Sequence, residues 1–286
     1  MNRSFVRTLS SSQVRSKSMR FAASINNAVK TPQTKPIEIK HAIGLETPVL
    51  LNHNLSDTYN LNNLYHSLFS AEAKEARQKK LDYEMQHSPL YDAKCFRNTN
   101  GKIFTPPKSY FRAEKSLYFP DFYAKTLDGK QRSIYEALGD KITIVNIFSS
   151  VTGEKCTHSY YKSDEKDYYL KDYTEFTKEY PNCQIFDVNI PTNWLKGFVL
   201  NLSLSNLRKM IPKERSNHYF ILPDHIFQYK IRQELLCDNQ CSGFIYILDP
   251  QGRIRWLTSG YSTPEEYELM WKVVKRLQNE IANKDE

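Results

Sequence analysis

Stretches rich in apolar residues predict three strands in this chain, over residues 142–148, 184–190 and 243–248. The first is apolar at most positions and is expected to be central, and the last is apolar on both faces, as in a buried strand at the middle of a sheet. Asp249-Pro250-Gln251-Gly252 follows with the residue types of a tight turn, proline at the second position and glycine at the fourth. A buried strand that opens a hairpin is therefore predicted near the end of the chain.

The return strand of this hairpin alternates between basic and apolar residues. Ile254 and Trp256 are expected to point to one side, and Arg253 and Arg255 to the other. The pattern predicts a half-exposed strand in which Trp256 belongs to the core.

A helix is predicted to close the chain. Thr263-Pro264-Glu265-Glu266 combines an N-cap threonine, a first-turn proline and the third-position glutamate of a capping box. Apolar residues then recur at helical spacing and form a face that packs on the sheet: Met270, Val273, Val274, Leu277 and Ile281.

The segment before the first buried strand resembles the opening of thioredoxin-like and peroxiredoxin-like domains. The resemblance lies in Phe119-Pro120-Asp121-Phe122, the Leu127-Asp128-Gly129-Lys130 turn and the helix start at Ser133-Ile134-Tyr135. With the strands and the closing helix it predicts an α/β fold, a thioredoxin-like central sheet flanked by helices, over residues 107–286. Residues 22–106 are expected to be a linker and a charged helical extension, with a helix over 70–86 that ends before Pro89.

The first 21 residues are basic and rich in serine. They carry five of the chain's +8 net charges, and residues 1–37 contain no acidic residue. A basic, acid-free segment of this kind is typical of a mitochondrial presequence, which we expect to end near Arg20-Phe21-Ala22. No nucleic-acid-binding motif and no apolar run long enough to span a membrane accompanies it.

The positions where thioredoxin-like enzymes carry chemistry lack the required residues. Thr152-Gly153-Glu154-Lys155 stands where a Cys-x-x-Cys would be, and Ser242-Gly243 replaces the proline before the buried strand. If Cys156 were a peroxidase cysteine, a proline and a threonine would precede it where Ser149 and Gly153 stand. Thioredoxin or peroxidase activity is therefore not expected.

A thiol or copper site remains as an alternative hypothesis. Folding would bring Cys241 near Cys156 and His158, with Cys237 close by in the same CDNQC segment. The other interpretation is that all are free thiols in a reducing compartment.

A helix predicted over residues 193–211 has an unusually broad apolar arc. One stripe contains Trp194, Leu195, Phe198, Val199 and Leu202. Such an arc is either buried on two sides or partly exposed to an apolar partner. The aromatic and basic segment 102–138 has two interpretations as well: either its rings cover a core while its lysines stay in water, or the segment binds nucleic acid or lipid headgroups.

Two segments in this order, SYFRAEKSLYFPDFYA and GFIYILDPQGRIRWLTSG, resemble the fungal Atp ten family of mitochondrial F-type ATP synthase assembly factors. The resemblance implies a chaperone that is peripheral to the matrix side of the inner membrane. It implies binding to newly made subunit 6 (subunit a), which then joins the ring of subunit c. That family is not defined by catalytic residues, so no enzymatic role, cofactor, metal, nucleic acid or small-molecule substrate is expected.

The resemblance and the apolar arc together predict a partner-binding surface. We expect it to contain Trp194, Phe198 and Leu202, with Tyr118 and Phe119 from the aromatic segment. The alternative function is a thiol- or copper-handling factor on the same fold, acting in respiratory-complex biogenesis.

Overall fold

The computed structural model describes residues 31–51, 75, 78, 89–191, 204–223 and 226–283. Its strands are β1 (Ile37–Glu38), β2 (Phe104–Thr105), β3 (Tyr123–Thr126), β4 (Gln131–Ser133), β5 (Ile142–Phe148), β6 (Cys183–Asn189), β7 (Tyr219–Ile221), β8 (Gly243–Leu248) and β9 (Ile254–Ser259). Its helices are α1 (Pro89–Thr99), α2 (Ile134–Leu138), α3 (Val151–His158), α4 (Tyr173–Glu179), α5 (Tyr229–Glu234) and α6 (Pro264–Ala282). Residues 204–210 are also helical.

A seven-stranded mixed sheet with the order β4-β3-β7-β6-β5-β8-β9 forms the centre of the molecule. β5, β6 and β7 are parallel, whereas β8 and β9 form an antiparallel hairpin beside β5. Two parallel strands joined through helices, then a hairpin and a closing helix, give the thioredoxin-like arrangement that the sequence predicted. β5 lies between β6 and β8, and all seven of its residues are buried.

The sheet has an apolar core on each face because side chains alternate along its strands. Val145 and Ile147 of β5 face a core that α2, α5 and the residues around β1 and β2 cover. Ile142 and Ile144 face the other core, which α4 and α6 cover. Within the described part of the chain, no helix is both long and apolar enough to cross a membrane.

Helix caps confirm two of the predicted starts. At α2 the Ser133 hydroxyl accepts hydrogen bonds from the first turn, and Glu136 completes a capping box. At α6 Thr263 Oγ1 accepts the Glu266 N–H at 3.3 Å. The Glu266 carboxylate instead bonds Lys102 and Tyr160, so the box predicted for α6 is replaced by longer-range contacts.

The prediction of a half-exposed β9 was wrong, since all six of its residues are buried. The register shifts beside β8, where Ile247 pairs with Trp256 but Leu248 pairs with Ile254. Arg255 is thus the extra residue of a bulge, and Ile254 and Trp256 pack in opposite cores. The Arg255 guanidinium lies inward, against Asp249 at 3.3 Å and Glu280 at 2.8 Å.

Part of the predicted linker packs on the sheet domain. β1 pairs with β2, and Leu45 exchanges backbone hydrogen bonds of 2.8 Å with Tyr118. Pro89 is the first residue of α1, a helix that the sequence patterns did not predict. Of the helix predicted over residues 70–86, only positions 75 and 78 are described, and both are helical. The predicted presequence lies outside the described residues.

Candidate functional site

The end of β5 and the start of α3 form the place where a thioredoxin-like enzyme would carry its cysteines. Ser150 caps α3 by accepting the Gly153 N–H at 3.1 Å. Thr152 and Lys155 are exposed, and Glu154 is half-buried in the first turn. The local geometry of such a site is present, but no thiol lies at either expected position.

This place is closed by direct backbone packing. A Cβ on Gly153 would lie 2.5 Å from the Ser242 carbonyl oxygen, and a Cβ on Gly243 would lie 2.0 Å from the Gly153 carbonyl oxygen. The loop before β8 therefore rests directly on the first turn of α3, at the position where a thioredoxin-like enzyme would bind its substrate.

Cys156 lies one turn further along α3 and is fully buried. Burial raises the pKa of the Cys156 thiol to about 11, against the lowering effect of the Gly243 N–H, the Lys102 ammonium and the Tyr261 hydroxyl. A thiol with this pKa is protonated at neutral pH and is a poor nucleophile.

The four residues of the thiol or copper hypothesis do not form a metal site. The described residues contain no group of three or more His, Cys, Asp or Glu side chains that could hold a metal ion. His158 Nε2 lies 3.1 Å from the Asp167 carboxylate, and its ring packs on Tyr169 with centroids 4.2 Å apart. Burial raises the pKa of Cys237 to about 12, and Cys241 is partly exposed.

A buried ion pair under β5 and β6 holds this region together. Asp187 accepts hydrogen bonds from Asn146 and Tyr169, both at 2.9 Å, and pairs with Arg215. Burial and, to a smaller extent, the Asp187 carboxylate raise the pKa of the nearby Glu154 to about 7, against the lowering effect of Arg215. Sequence patterns did not indicate this network, because its members come from four separate segments.

A second polar cluster fixes the segment after α1 to the start of α6. Lys102 Nζ donates to the Tyr160 hydroxyl at 2.9 Å and to the Tyr261 carbonyl at 2.7 Å, and it pairs with Glu266. The Tyr160 hydroxyl also donates to Glu266 at 2.7 Å. Each of these polar groups has a partner within the cluster. We therefore assign the cluster a structural role, which is to hold the segment after α1 against the start of α6.

The five predicted surface residues fall in different places. Phe119 is fully buried, with its ring 5.7 Å from the ring of Tyr246, so it is a core residue and not part of a surface. Tyr118 is half-buried and forms a bridge with Arg253, beside the turn at the amino end of β5. The other three, Trp194, Phe198 and Leu202, lie outside the described residues.

Exposed apolar side chains occur at the opposite end of β5. We call this area the carboxyl edge: residues 148–151, 189–191 and 239–243, together with the start of α1. Val151 is 67% exposed and Leu90 is 73% exposed. Asp92, two residues after Leu90, accepts the Gln240 N–H at 3.1 Å, and Ser150 Oγ donates to the Cys241 carbonyl at 3.5 Å.

The chain leaves β6 at this same carboxyl edge. The Ile190 N–H donates to the Phe148 carbonyl at 2.9 Å, which places the end of β6 beside the end of β5. The predicted helix 193–211 follows directly in sequence. The carboxyl edge thus contains exposed apolar residues, and the broad apolar segment 193–211 follows it directly in sequence. Sequence patterns did not identify Val151 or Leu90 as part of such a surface.

Comparison with known proteins gives one family over most of the chain. The model of the family described as ATP10 protein matches residues 23–277. The Mitochondrial ATPase complex subunit ATP10 of Saccharomyces cerevisiae is 34% identical over 228 residues, which cover 78% of this chain and 81% of that protein. The protein of the same name from Eremothecium gossypii is 35% identical over 215 residues, 75% of this chain and 77% of its own.

Solved structures of thioredoxin-type proteins overlap less closely. A thioredoxin family thiol:disulfide interchange protein from Chlorobium tepidum has a TM-score of 0.33 and 14% identity, and the overlap covers 57% of this chain and 96% of that one. The thioredoxin-like fold of the present chain follows from its own strand order.

Proposed function

Since this chain belongs to the ATP10 protein family, we propose that it is a non-enzymatic mitochondrial assembly factor for the membrane sector of the ATP synthase. Its client is newly made subunit 6 (subunit a), which it holds until this subunit joins the ring of subunit c. The observation that carries the proposal is the packing of Gly153 on Gly243, which closes the thiol-free position where this fold otherwise performs chemistry.

A closed site favours binding over catalysis. The Cys156 thiol is buried with a raised pKa, and the backbones of Gly153 and Gly243 pack directly on each other one turn before it. The scaffold then serves to hold a surface in place, as rigid folds commonly do. A membrane subunit that awaits assembly exposes apolar helices, and a soluble partner prevents their aggregation by covering them.

The carboxyl edge is the proposed client surface. Val151 and Leu90 are exposed there, and Trp194, Phe198 and Leu202 follow β6 from the same edge in sequence. Tyr118 lies at the other end of β5, so we assign it no client contact.

The basic segment 1–21 supports delivery to the mitochondrion, where the family's named members act. A position on the matrix side, peripheral to the inner membrane, would bring the carboxyl edge to a client that is being inserted there.

Charge substitution at the carboxyl edge tests this surface. In cells that lack the chain, Val151→Asp and Phe198→Asp should each reduce crosslinking to newly made subunit 6 and lower assembled ATP synthase on native gels. Val49→Asp is the matched control, because Val49 is an exposed valine (45%) that does not belong to the carboxyl edge, and this variant should assemble normally. If the Val151→Asp and Phe198→Asp variants both folded, crosslinked and assembled like wild type, the proposed client surface would be wrong.

A cysteine variant tests the absence of thiol or copper chemistry. Cys156, Cys237 and Cys241 are replaced together by serine, and the amount of folded chain is measured with the assembled enzyme. We expect assembly in proportion to the folded chain. A normal amount of folded chain with no assembly would favour the thiol- or copper-handling alternative.

A further inference from the structure

A basic groove lies on a part of the surface that the proposed function does not use. It has a volume of about 540 Å³ and runs between the start of α4 and the helical residues 204–210. Four of its lining residues are cationic and none is acidic: Leu170, Lys171, Tyr173, Thr174, Arg208, Lys209, Met210, Ile211, Pro212 and Lys213.

The groove cations have no acidic partner among the described residues. Lys171, Lys209 and Lys213 are exposed and form no ion pair there, and Arg208 uses its Nε–H for the Leu127 carbonyl at 2.8 Å. The acidic side chains at the start of α4 contact groups other than the groove cations. Asp172 accepts the Asp167 N–H at 2.7 Å, and Glu175 pairs with Lys166 at 3.0 Å. Glu214 follows Lys213 but does not line the groove.

The rest of the lining is apolar, which selects among anionic ligands. Met210 is 65% exposed at the rim, Leu170 is half-buried, and Ile211 is buried below. A small hydrophilic anion would leave this apolar surface in water. An amphiphile that carries its negative charge on a headgroup and its apolar part beside it satisfies both halves of the groove.

We infer that this groove binds the phosphate headgroup of an anionic phospholipid at a bilayer surface. Lys171 on one wall and Lys209 and Lys213 on the other approach the phosphate, while Met210 enters the boundary between headgroups and acyl chains. The inference rests on the proposed function only in that a factor for a membrane sector works at a membrane. It assigns the contact to a groove that contains none of the proposed client residues.

Vesicle flotation with the purified full-length chain tests the inference. The five cations of residues 1–21 are replaced by glutamine throughout, because that segment would itself bind anionic vesicles. Vesicles are made of phosphatidylcholine alone, or of phosphatidylcholine with about a fifth phosphatidylglycerol. The chain should float with the anionic vesicles and remain behind with the neutral ones.

The variant Lys209→Glu/Lys213→Glu should lower the partition coefficient on anionic vesicles about tenfold or more, because both cations are lost from the surface contact. The control Lys155→Glu/Lys272→Glu makes the same change in net charge at exposed lysines outside the groove and should bind as before. Lys171→Glu, on the opposite wall, provides a second variant if the first does not fold.

Four results would overturn the inference. The first two are equal binding to neutral vesicles and equal loss in the control variant. The third is stabilisation by inorganic phosphate with no vesicle binding, which would indicate a site for a soluble anion. The fourth is binding of an acidic peptide with no binding of vesicles. The measurement contains no subunit 6, so its failure leaves the assembly proposal standing, and loss of assembly in the carboxyl-edge variants leaves the vesicle result unchanged.

Discussion

The backbones of Gly153 and Gly243 are packed so closely that each position excludes a Cβ: one on Gly243 would lie 2.0 Å from the Gly153 carbonyl oxygen. Gly153 belongs to the first turn of α3, and Gly243 begins β8. The contact joins a helix to a strand across the position where a thioredoxin-like enzyme would bind its substrate. Its effect on stability can be measured directly.

Gly153→Ala should destabilise the protein although alanine favours helices. The substitution normally stabilises a helix by about 0.5–1 kcal/mol. Here the added methyl group meets the Ser242 carbonyl oxygen at 2.5 Å, and we expect a net loss of about 1–3 kcal/mol in urea unfolding. Thr152→Ala, at the exposed neighbouring position, is the control and should change stability by less than about 0.5 kcal/mol. A more stable Gly153→Ala variant would show that the loop before β8 moves to accommodate the added methyl group at little cost.

Arg255→Met should lower the free energy of unfolding by about 3 kcal/mol. The guanidinium is 2% exposed, and without it the buried Asp249 carboxylate and the Glu280 carboxylate lose their shared partner. Arg253→Met is the matched variant, because Arg253 bonds Asp249 from a side chain that is 21% exposed. It should cost less than about 1 kcal/mol. Equal losses in the two variants would mean that burial of Arg255 has no special role.

Glu154→Gln should stabilise the protein above neutral pH and have little effect in acid. The folded pKa of about 7 is higher than the ordinary value of 4.5, so the folded state holds the proton more tightly than the unfolded state. The stability from this group is full below pH 4.5 and is lost as the pH rises through about 7. Because Glu154 is partly exposed, we expect the glutamine variant to raise the free energy of unfolding by only about 1–2 kcal/mol at about pH 8, and to leave it nearly unchanged at about pH 4. Chemical unfolding at the two pH values measures the difference, and an equal gain at both would contradict the titration.

Thiol labelling should find one fast-reacting cysteine in the native chain. Four of the five cysteines are buried, and only Cys241 is partly exposed. Cys241→Ser should therefore abolish the rapid reaction with an aromatic disulfide reagent, whereas Cys237→Ser should leave it unchanged. Rapid labelling of Cys156 would contradict its burial and its raised pKa.

Local patterns predicted much of the sheet and its last helix. β5, β8 and α6 were readable because continuous apolar runs and a capped 3.6-residue periodicity depend on neighbours in sequence. The missing redox cysteines were visible for the same reason, since they belong to a short motif. For the aromatic segment, the interpretation that its rings cover a core was confirmed at Phe119 and Phe122, which are fully buried.

Other features of the fold depend on contacts between residues far apart in the sequence, which local patterns do not predict. The alternation of β9 predicted an exposed Arg255, but a bulge shifts its register, and Asp249 and Glu280 supply the charges that permit its burial. Lys102 and Glu266 pair across 164 residues, so nothing near either one indicates the contact. The apolar carboxyl edge likewise depends on two loops that only the fold brings together.

The docking of the N-terminal segment on the sheet determines when the chain can finish folding. Leu45 pairs with Tyr118, Tyr118 bridges to Arg253, and Phe104 hydrogen bonds with Ser259 at 2.8–2.9 Å. During synthesis from the N-terminus, residues 31–51 are therefore made well before the β8–β9 hairpin that completes their packing surface, so this part of the contact forms late. Until the hairpin is made, its side of the contact cannot shield residues 31–51 from a chaperone or a protease.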